Sequence, residues 1–482
     1  MSESTTPTTM TMPEADPSRP HAYDHPFRIL IGPLIGAFIG LYSEAALNIA
    51  LPSLMGVFDI QATIVQWMTT GYILAVGIVL PLFGLLVKWI PTRGLAFTAI
   101  ALFVVGATVS ALAPSFAVLL AGRVIQGVAT GIMLPLIFNT AVAVYPPSRI
   151  GTAMGAIGMV VMFAPAVSPV IAGLILEHAN WRWIFWSMVP VMLVSLAISV
   201  RWLRDVRDLT RPRIDSPSIA LSTIGFGGVV FGLSIGGDTG WASPEGPLAL
   251  VVGLLAVAAF AHRQLHHDHP ILDVRAFRHP SFTLGTTVIL VTNALLMCAI
   301  FLLPMYLQDA KRTTVLIAGL LMLPGGLVNG ILSAVSGRIS DAVHPKILIR
   351  LGLVVSIAAS VLLATLDAGS ALAWVVIAHC LLMVGIPLTM TPAQTLGLQA
   401  LPEDLSSDGS TIISTLQQIG GAAGTALGAS LLAAGAASVE SGGAAAVATG
   451  TRWGFVFCVA CAVAALVVAL FIRGGRRALP LD

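Results

Sequence analysis

Fourteen apolar segments, each close to 20 residues long, make up most of this chain of 482 residues. About 20 apolar residues are needed for a helix to cross the hydrocarbon core of a bilayer. The segments lack the alternating pattern of membrane barrel strands. We therefore predict an all-α integral membrane protein. Its predicted spans are 29–52, 63–87, 95–113, 116–143, 151–175, 183–202, 217–237, 247–264, 281–306, 314–336, 347–366, 371–392, 411–436 and 453–472.

Composition excludes several classes of protein. Hydrophobic residues make up 57% of the chain and charged residues only 10%, whereas soluble domains carry about 25% charged residues. A net charge of +2 is too small for a nucleic-acid-binding protein. The sequence has no P-loop, no nucleophile elbow and no zinc-protease motif. We expect neither an enzyme nor an ATP-driven pump, and no metal or cofactor.

The basic residues predict the orientation of the chain. With alternating spans, nineteen of the 24 lysines and arginines lie on one side of the membrane and four on the other. Arg123 alone falls inside a span. Cytoplasmic loops are enriched in Lys and Arg, so both termini are expected to be cytoplasmic, with the protein multi-pass in the cytoplasmic membrane.

Two polar loops divide the predicted spans into groups of six, two and six. The sequences GLLVKWIPTR, from Gly84, and GRISDAVHPK, from Gly337, form a weak internal repeat. Repeated helical halves are typical of alternating-access transporters, with the substrate site between the halves. The predicted organisation is a disordered cytoplasmic tail (1–27), an N-terminal six-helix half (28–205), a two-helix insert with its flanking loops (206–280), a C-terminal six-helix half (281–475) and a second tail (476–482).

Six short motifs resemble one known family. They are LNIALPSL from Leu47, GRVIQGVATG from Gly122, MFAPAVSPVIAG from Met162, WRWIF from Trp181, HPILDVRAFRHPSF from His269 and PMYLQ from Pro304. In this order they resemble the 14-span drug:proton antiporter branch of the major facilitator superfamily. The resemblance implies proton-driven export of drugs by two rocking six-helix halves.

Several positions depart from the family pattern. After span two, Lys88 stands where the family has an acidic residue and Pro91 where it has a glycine, so we expect the usual carboxylate latch to be missing there. Asp341 keeps the acidic residue in the second copy. The acidic position of span one falls on Ser43, with Glu44 beside it.

Glu44 and Arg123 are the candidates for proton coupling. A carboxylate in the middle of a span is costly and usually functional, and desolvation favours its protonated form. A structural Glu44 bonded to a neighbouring helix is the alternative. Arg123 keeps its proton and acts as a fixed charge. The resemblance implies a part in proton transfer, and a purely helix-linking role is the alternative.

Further residues are candidates for gating and helix packing. Asp341 can accept hydrogen bonds from a neighbouring helix end and hold the cytoplasmic side closed, with Arg338 and Lys346 as basic companions. Glycines and prolines allow helices to bend and approach closely, although packing alone also explains them. The full set is Gln126, Gly127, Pro165, Pro169, Gly173, Gly337, Arg338 and Asp341.

A cavity for lipophilic drugs needs pliable apolar walls with a few polar groups. For each candidate, packing or contact with lipid is the alternative. The candidates are Phe38, Tyr42, Met133, Asn139, Met159, Phe163, Asn293, Met297, Phe301 and Asn329.

The leading hypothesis is a proton-coupled antiporter that exports small lipophilic, cationic drugs or toxic compounds. Its expected partners are the lipid bilayer, protons and these substrates, with no nucleic acid, and we expect a monomer. One alternative is a narrow exporter of a metabolite or a self-made antibiotic. Another is a membrane sensor that no longer transports.

Overall fold

A computed structural model describes residues 25–206, 209, 215–267, 270–439 and 443–472. The first 24 residues of the predicted N-terminal tail lie outside the described residues. So do the predicted tail 476–482 and the side chain of Asn48.

Fourteen long helices, α1 to α14, account for nearly all of the described residues, which contain no strand. Each is long and apolar enough to cross a membrane, which confirms the predicted all-α fold with fourteen spans. In chain order the helices are Pro26–Phe58, Trp67–Trp89, Thr92–Ala111, Phe116–Val144, Ile150–His178, Arg182–Trp202, Ser216–Thr239, Glu245–His266, Pro280–Met305, Val315–Ala342, Pro345–Ala364, Leu372–Gln399, Ser406–Ala437 and Gly443–Leu470.

Several helices extend beyond their predicted apolar cores. α12 reaches Gln399, and the residues added to its predicted span include Gln394. α9 continues into a single π-helical turn at Tyr306–Ala310. α5 contains Pro165 and Pro169 in its interior and stays one helix, as is common where neighbouring helices support a membrane helix.

The helix contacts of α1–α6 recur in α9–α14. In the first set, α1 packs on α4, α5 and α6, while α3 packs on α4 and α6. In the second set, α9 packs on α12, α13 and α14, while α11 packs on α12 and α14. The two sets therefore have the same architecture, as duplicated halves would.

One pair of close contacts shows the repeat at atomic detail. A Cβ added to Gly106 of α3 would lie 2.7 Å from the carbonyl oxygen of Gly122 in α4. A Cβ added to Gly352 of α11 would lie 2.7 Å from the carbonyl oxygen of Gly385 in α12. Only glycine allows backbones to approach this closely, so both halves use the same small-residue contact.

Two interfaces join the N-terminal half to the C-terminal half. At one interface α5 packs along α10, and at the other α2 approaches α13. The two helices between the halves, α7 and α8, pack on each other, and α7 also contacts both α2 and α13.

Candidate proton and substrate sites

Arg123 lies at the centre of a polar cluster inside the N-terminal half. Among the described residues it is the largest side chain that is completely buried. Its Nη1 donates to Ser43 Oγ at 2.7 Å and to Gln126 Oε1 at 3.2 Å, and its Nε donates to the Met68 carbonyl oxygen at 3.3 Å. A buried guanidinium must find such acceptors, because an unpaired buried charge is costly.

The ring of Tyr72 packs against this guanidinium. The Arg123 Cζ lies 4.1 Å from the centre of the Tyr72 ring, a cation–π contact. The Tyr72 hydroxyl donates to the Gly40 carbonyl oxygen at 2.9 Å and shares a hydrogen bond with Thr130 Oγ1 at 2.7 Å. A Cβ on Gly127 would come within 2.6 Å of the Tyr72 carbonyl oxygen, so this glycine lets α4 approach α2.

Glu44 lies on α1, one residue after the serine that binds Arg123. Its side chain is partly buried and interacts electrostatically with Arg123. The contacts of the described residues include no ion pair between these two side chains within 4.0 Å. The Nη2 of Arg123 is buried and has no hydrogen-bond partner among the described residues. The guanidinium therefore keeps one nitrogen that can still donate, in a site where Glu44 acts on it electrostatically.

Asp341 joins the halves at the end of the bundle predicted to be cytoplasmic. Its Oδ1 accepts the backbone N–H of Gly151 at 2.8 Å. Its Oδ2 accepts the backbone N–H of Thr152 at 2.8 Å and the Thr152 hydroxyl at 2.6 Å. These donors lie in the first turn of α5, where the helix dipole favours an anion.

The expected basic companions of Asp341 are not found. Among the described residues, neither Arg338 nor Lys346 forms an ion pair with it. Among the described residues, the N-terminus of α5 supplies its hydrogen bonds instead, because α5 begins against α10 at this point.

Lys88 changes the expectation for the first copy of the repeat. Its Nζ lies 3.3 Å from the carboxylate of Asp408, in the first turn of α13. The Asp408 side chain is 4% exposed. The same Nζ donates to the carbonyl oxygens of Pro270 and Ile271 at 3.3 and 3.4 Å. A charged contact between α2 and α13 is therefore present, with the lysine in the last turn of α2 and the carboxylate in the first turn of α13. The prediction of a missing latch overlooked this acidic partner 320 residues away.

The α5–α10 interface is tightest at the same end. A Cβ on Gly337 would lie 2.2 Å from the Gly151 carbonyl oxygen and 2.7 Å from the Gly155 Cα. Toward the other end, a Cβ on Gly319 would meet only Pro169, at 3.8 Å. The helices are still close at Gly326, where a Cβ would lie 2.2 Å from the Ala166 Cβ, and they separate only beyond it. The structure is therefore closed at the predicted cytoplasmic end.

A small cavity of about 30 Å³ lies between the halves. This volume holds about one water molecule, so a drug needs the halves to separate. The N-terminal half contributes mainly apolar side chains, including Phe138, Val161 and Met162, and the C-terminal half supplies the polar ones. The polar residues in its lining are Asn329, Ser333, Thr391, Gln394 and Gln417.

The predicted substrate residues are dispersed. Of the ten candidates only Asn329 lines this cavity. Phe38 and Phe163 pack on each other with ring centres 6.4 Å apart. Met159 is 38% exposed and lies near Gly330 of α10. Tyr42 and Met133 are buried in the apolar core.

The remaining candidates serve helix contacts. Asn139 donates to Ser407 Oγ at 2.6 Å, which links α4 to α13. Asn293 donates to the Gln417 carbonyl oxygen at 2.6 Å, and Met297 and Phe301 lie against glycines of α13. The amides of Gln394 and Gln417 were missed. Gln417 lies within a predicted apolar span, which is a signal that could have found it, whereas Gln394 lies beyond the predicted end of its span.

Comparison with known proteins identifies the family. The profile of the Major Facilitator Superfamily matches residues 34–425. The chain belongs to the major facilitator superfamily. It is a multi-pass membrane transporter and not an enzyme, as predicted.

Relatives in this superfamily are named for drug resistance. The chain is 42% identical over 459 residues to the lincomycin resistance protein LmrB of Listeria monocytogenes, covering 94% of this chain and 98% of that protein. It is 42% identical to the protein of the same name from Bacillus subtilis, covering 92% and 95%. It is 29% identical to the multidrug export protein EmrB of Escherichia coli, covering 65% and 62%.

Solved structures agree on the fold. The proton:xylose symporter XylE superposes with a TM-score of 0.66 at 13% identity, covering 92% of this chain and 94% of that one. The human organic anion transporter MFSD10 superposes with a TM-score of 0.63 at 13% identity, covering 92% and 99%.

Proposed function

We propose that this protein is a proton-coupled antiporter that exports small lipophilic, cationic drugs across the cytoplasmic membrane. Both termini are cytoplasmic in this proposal, and the monomer alternates between two states by rocking its halves. The relatives named for lincomycin and multidrug resistance support drugs as the substrate class. Lincomycin is accordingly the first compound to test.

The observation that carries the proposal is the position of Glu44 beside Arg123. A carboxylate within a span exchanges protons where a polar surrounding compensates its charge. The unpaired Nη2 of Arg123 can donate to the deprotonated carboxylate, and protonation of Glu44 removes the charge that holds this contact. Because Arg123 is held by Ser43, Gln126 and Met68, the fixed charge stays in place while Glu44 changes its state.

Proteoliposome transport tests this proposal. The purified protein should move lincomycin or tetraphenylphosphonium against a concentration gradient when a pH gradient is imposed, and should move protons the opposite way. Glu44→Gln should abolish gradient-driven transport while binding of the compound persists. Glu177→Gln is the matched control, because Glu177 is exposed near the end of α5.

Two outcomes would overturn the assignment. Normal gradient-driven transport by Glu44→Gln would show that another group couples protons. Absence of proton movement in the parent protein would remove the antiport mechanism. Resistance to one compound class only, across a panel of toxic compounds, would favour the narrow exporter.

A further inference from the structure

The two-helix insert bridges the N-terminal and C-terminal halves. On the side of α2, Phe231 of α7 packs on Trp67 with ring centres 5.8 Å apart. Ser234 Oγ lies 3.2 Å from Thr70 Oγ1. A Cβ on Gly77 would lie 3.0 Å from Val230. These contacts lie along the outer part of α2, toward the end where α2 begins.

The same helix contacts the outer part of α13. A Cβ on Gly237 would lie 2.8 Å from the Cα of Ala426. Trp241, just beyond α7, donates its Nε1–H to Ser430 Oγ at 2.7 Å. Val229 and Leu233 form a buried cluster with Ala426. α7 therefore fills the space between the outer parts of α2 and α13.

At the inner end, the connector that follows α8 covers the same interface. Lys88 binds the carbonyl oxygens of Pro270 and Ile271 as well as Asp408. The Gln264 side chain of α8 accepts the Ile271 N–H at 2.8 Å. The insert and its connector thus cover the α2–α13 interface over its whole length.

α8 is the lipid-facing layer of the insert. Its backbone touches α7 at glycines, where a Cβ on Gly228 would lie 2.9 Å from the Cα of Gly253. Such small-residue contacts hold membrane helices tightly together. Leu254 and Leu255 on its outer face are 53% and 66% exposed.

The α5–α10 interface has no such cover. α7 packs on α2 and α13, and α8 packs on α7; in the part of the chain that the structure describes, neither packs on α5 or α10. Large apolar side chains beside this interface remain exposed, among them Leu320 at 48% and Leu327 at 40%. Toward the outer end, Gly319 faces Pro169 with room between them.

We propose that the insert closes the α2–α13 interface to lipid, so that lipophilic solutes pass between bilayer and central cavity only through the α5–α10 interface. An insert whose helix α7 contacts both halves, with α8 packed on α7, excludes acyl chains when the outer parts of α2 and α13 separate. The α5–α10 side has only side-chain contacts at its outer end, which solutes dissolved in the bilayer displace. The expected effect on transport rests on the proposed function, in which the substrate is lipophilic. The expected exclusion of lipid rests on the geometry of the insert alone.

Lipid access is measured by photolabelling. The protein in liposomes is exposed to 3-(trifluoromethyl)-3-(m-iodophenyl)diazirine, a carbene precursor that dissolves in the bilayer, with and without an imposed pH gradient. Mass spectrometry should find label on α8 at Leu255 and on α10 at Leu320 and Leu327. Label on Leu233 or Ile419 should stay at background in both conditions. Label on Ile419 equal to that on Leu255, at rest or during cycling, would overturn the proposal.

Transport provides the second measurement. Gly319→Trp fills the space between Gly319 and Pro169 and should lower the initial rate of tetraphenylphosphonium transport by about tenfold, because the indole obstructs the passage from the bilayer. Gly56→Trp is the matched control, since a Cβ there meets nothing within 4 Å, and its rate should match the parent. Equal rates for both variants would contradict the proposal.

Folding and function are separated by two checks. Leu320→Ala removes bulk at the same interface and should keep the parent rate, so a loss in Gly319→Trp with a normal melting temperature reports blockage. If the parent protein transports no lipophilic cation, the proposed function fails, while the labelling pattern still decides whether the insert excludes lipid.

Discussion

Replacement of Lys88 by methionine should open the cytoplasmic end. Lys88 Nζ lies 3.3 Å from the Asp408 carboxylate and binds two carbonyl oxygens. Losing one partner of a buried pair costs about 3–5 kcal/mol. Because the Lys88 side chain is 22% exposed, water screens part of this contact. We expect the closed state to lose about 2–3 kcal/mol relative to the open state, a shift of about 30- to 140-fold in their ratio.

Cysteine accessibility measures this shift. Gln394→Cys, in a background without the native cysteines, places a thiol in the cavity between the halves. A membrane-impermeant maleimide added to inside-out vesicles should label this thiol at least about 30-fold faster in Lys88→Met than in the parent. Lys346→Met removes a positive charge from the same side without a partner carboxylate among the described ion pairs, and should leave the labelling rate unchanged.

Exchanging the charges of Lys88 and Asp408 tests whether their contact holds the halves together. Lys88→Asp places two carboxylates together and should label fastest. Lys88→Asp combined with Asp408→Lys restores opposite charges and should recover part of the protection. If Lys88→Met labels at the parent rate, or if the exchange is no better than Lys88→Asp alone, the contact does not hold the halves together.

Three further outcomes follow from other contacts. Gly337→Ala should prevent closure of the α5–α10 interface, because the new Cβ would lie 2.2 Å from the Gly151 carbonyl oxygen; the same labelling assay should show fast modification. Asp341→Asn keeps the shape but loses a charged acceptor at the N-terminus of α5, worth about 1 kcal/mol, and should raise labelling by several fold. The hydrogen bond from Arg263 lowers the pKa of Asp215 to about 2, below its usual value near 4. The Asp215 carboxylate thus stabilises the fold above pH 4, and this stabilisation is lost as the pH falls toward 2. The melting temperature of Asp215→Asn should therefore depend less on pH in that range than that of the parent.

Apolar length and the placement of charges make the fold readable from the sequence. Lipid allows only helices or closed barrels to span it, so each run of about 20 apolar residues has one structural outcome, whatever its neighbours are. Arg123 was identified in the same way, because it is a charged residue within an apolar span. Asp341 was identified as an acidic residue in a repeated loop. In the structure it accepts hydrogen bonds from the N-terminus of α5, as expected.

The partners of those residues depended on the tertiary structure. Lys88 pairs with Asp408 across 320 positions, and no local pattern links the two. The ten substrate candidates were chosen by residue type, yet helix rotation put only Asn329 at the cavity and placed Met159 near Gly330 of α10. The sequence alone thus determined how many helices cross the membrane and which charges they carry, since local hydropathy decides both. Only the packing of the helices decided which faces meet, because contacts between distant segments set the rotation of every helix.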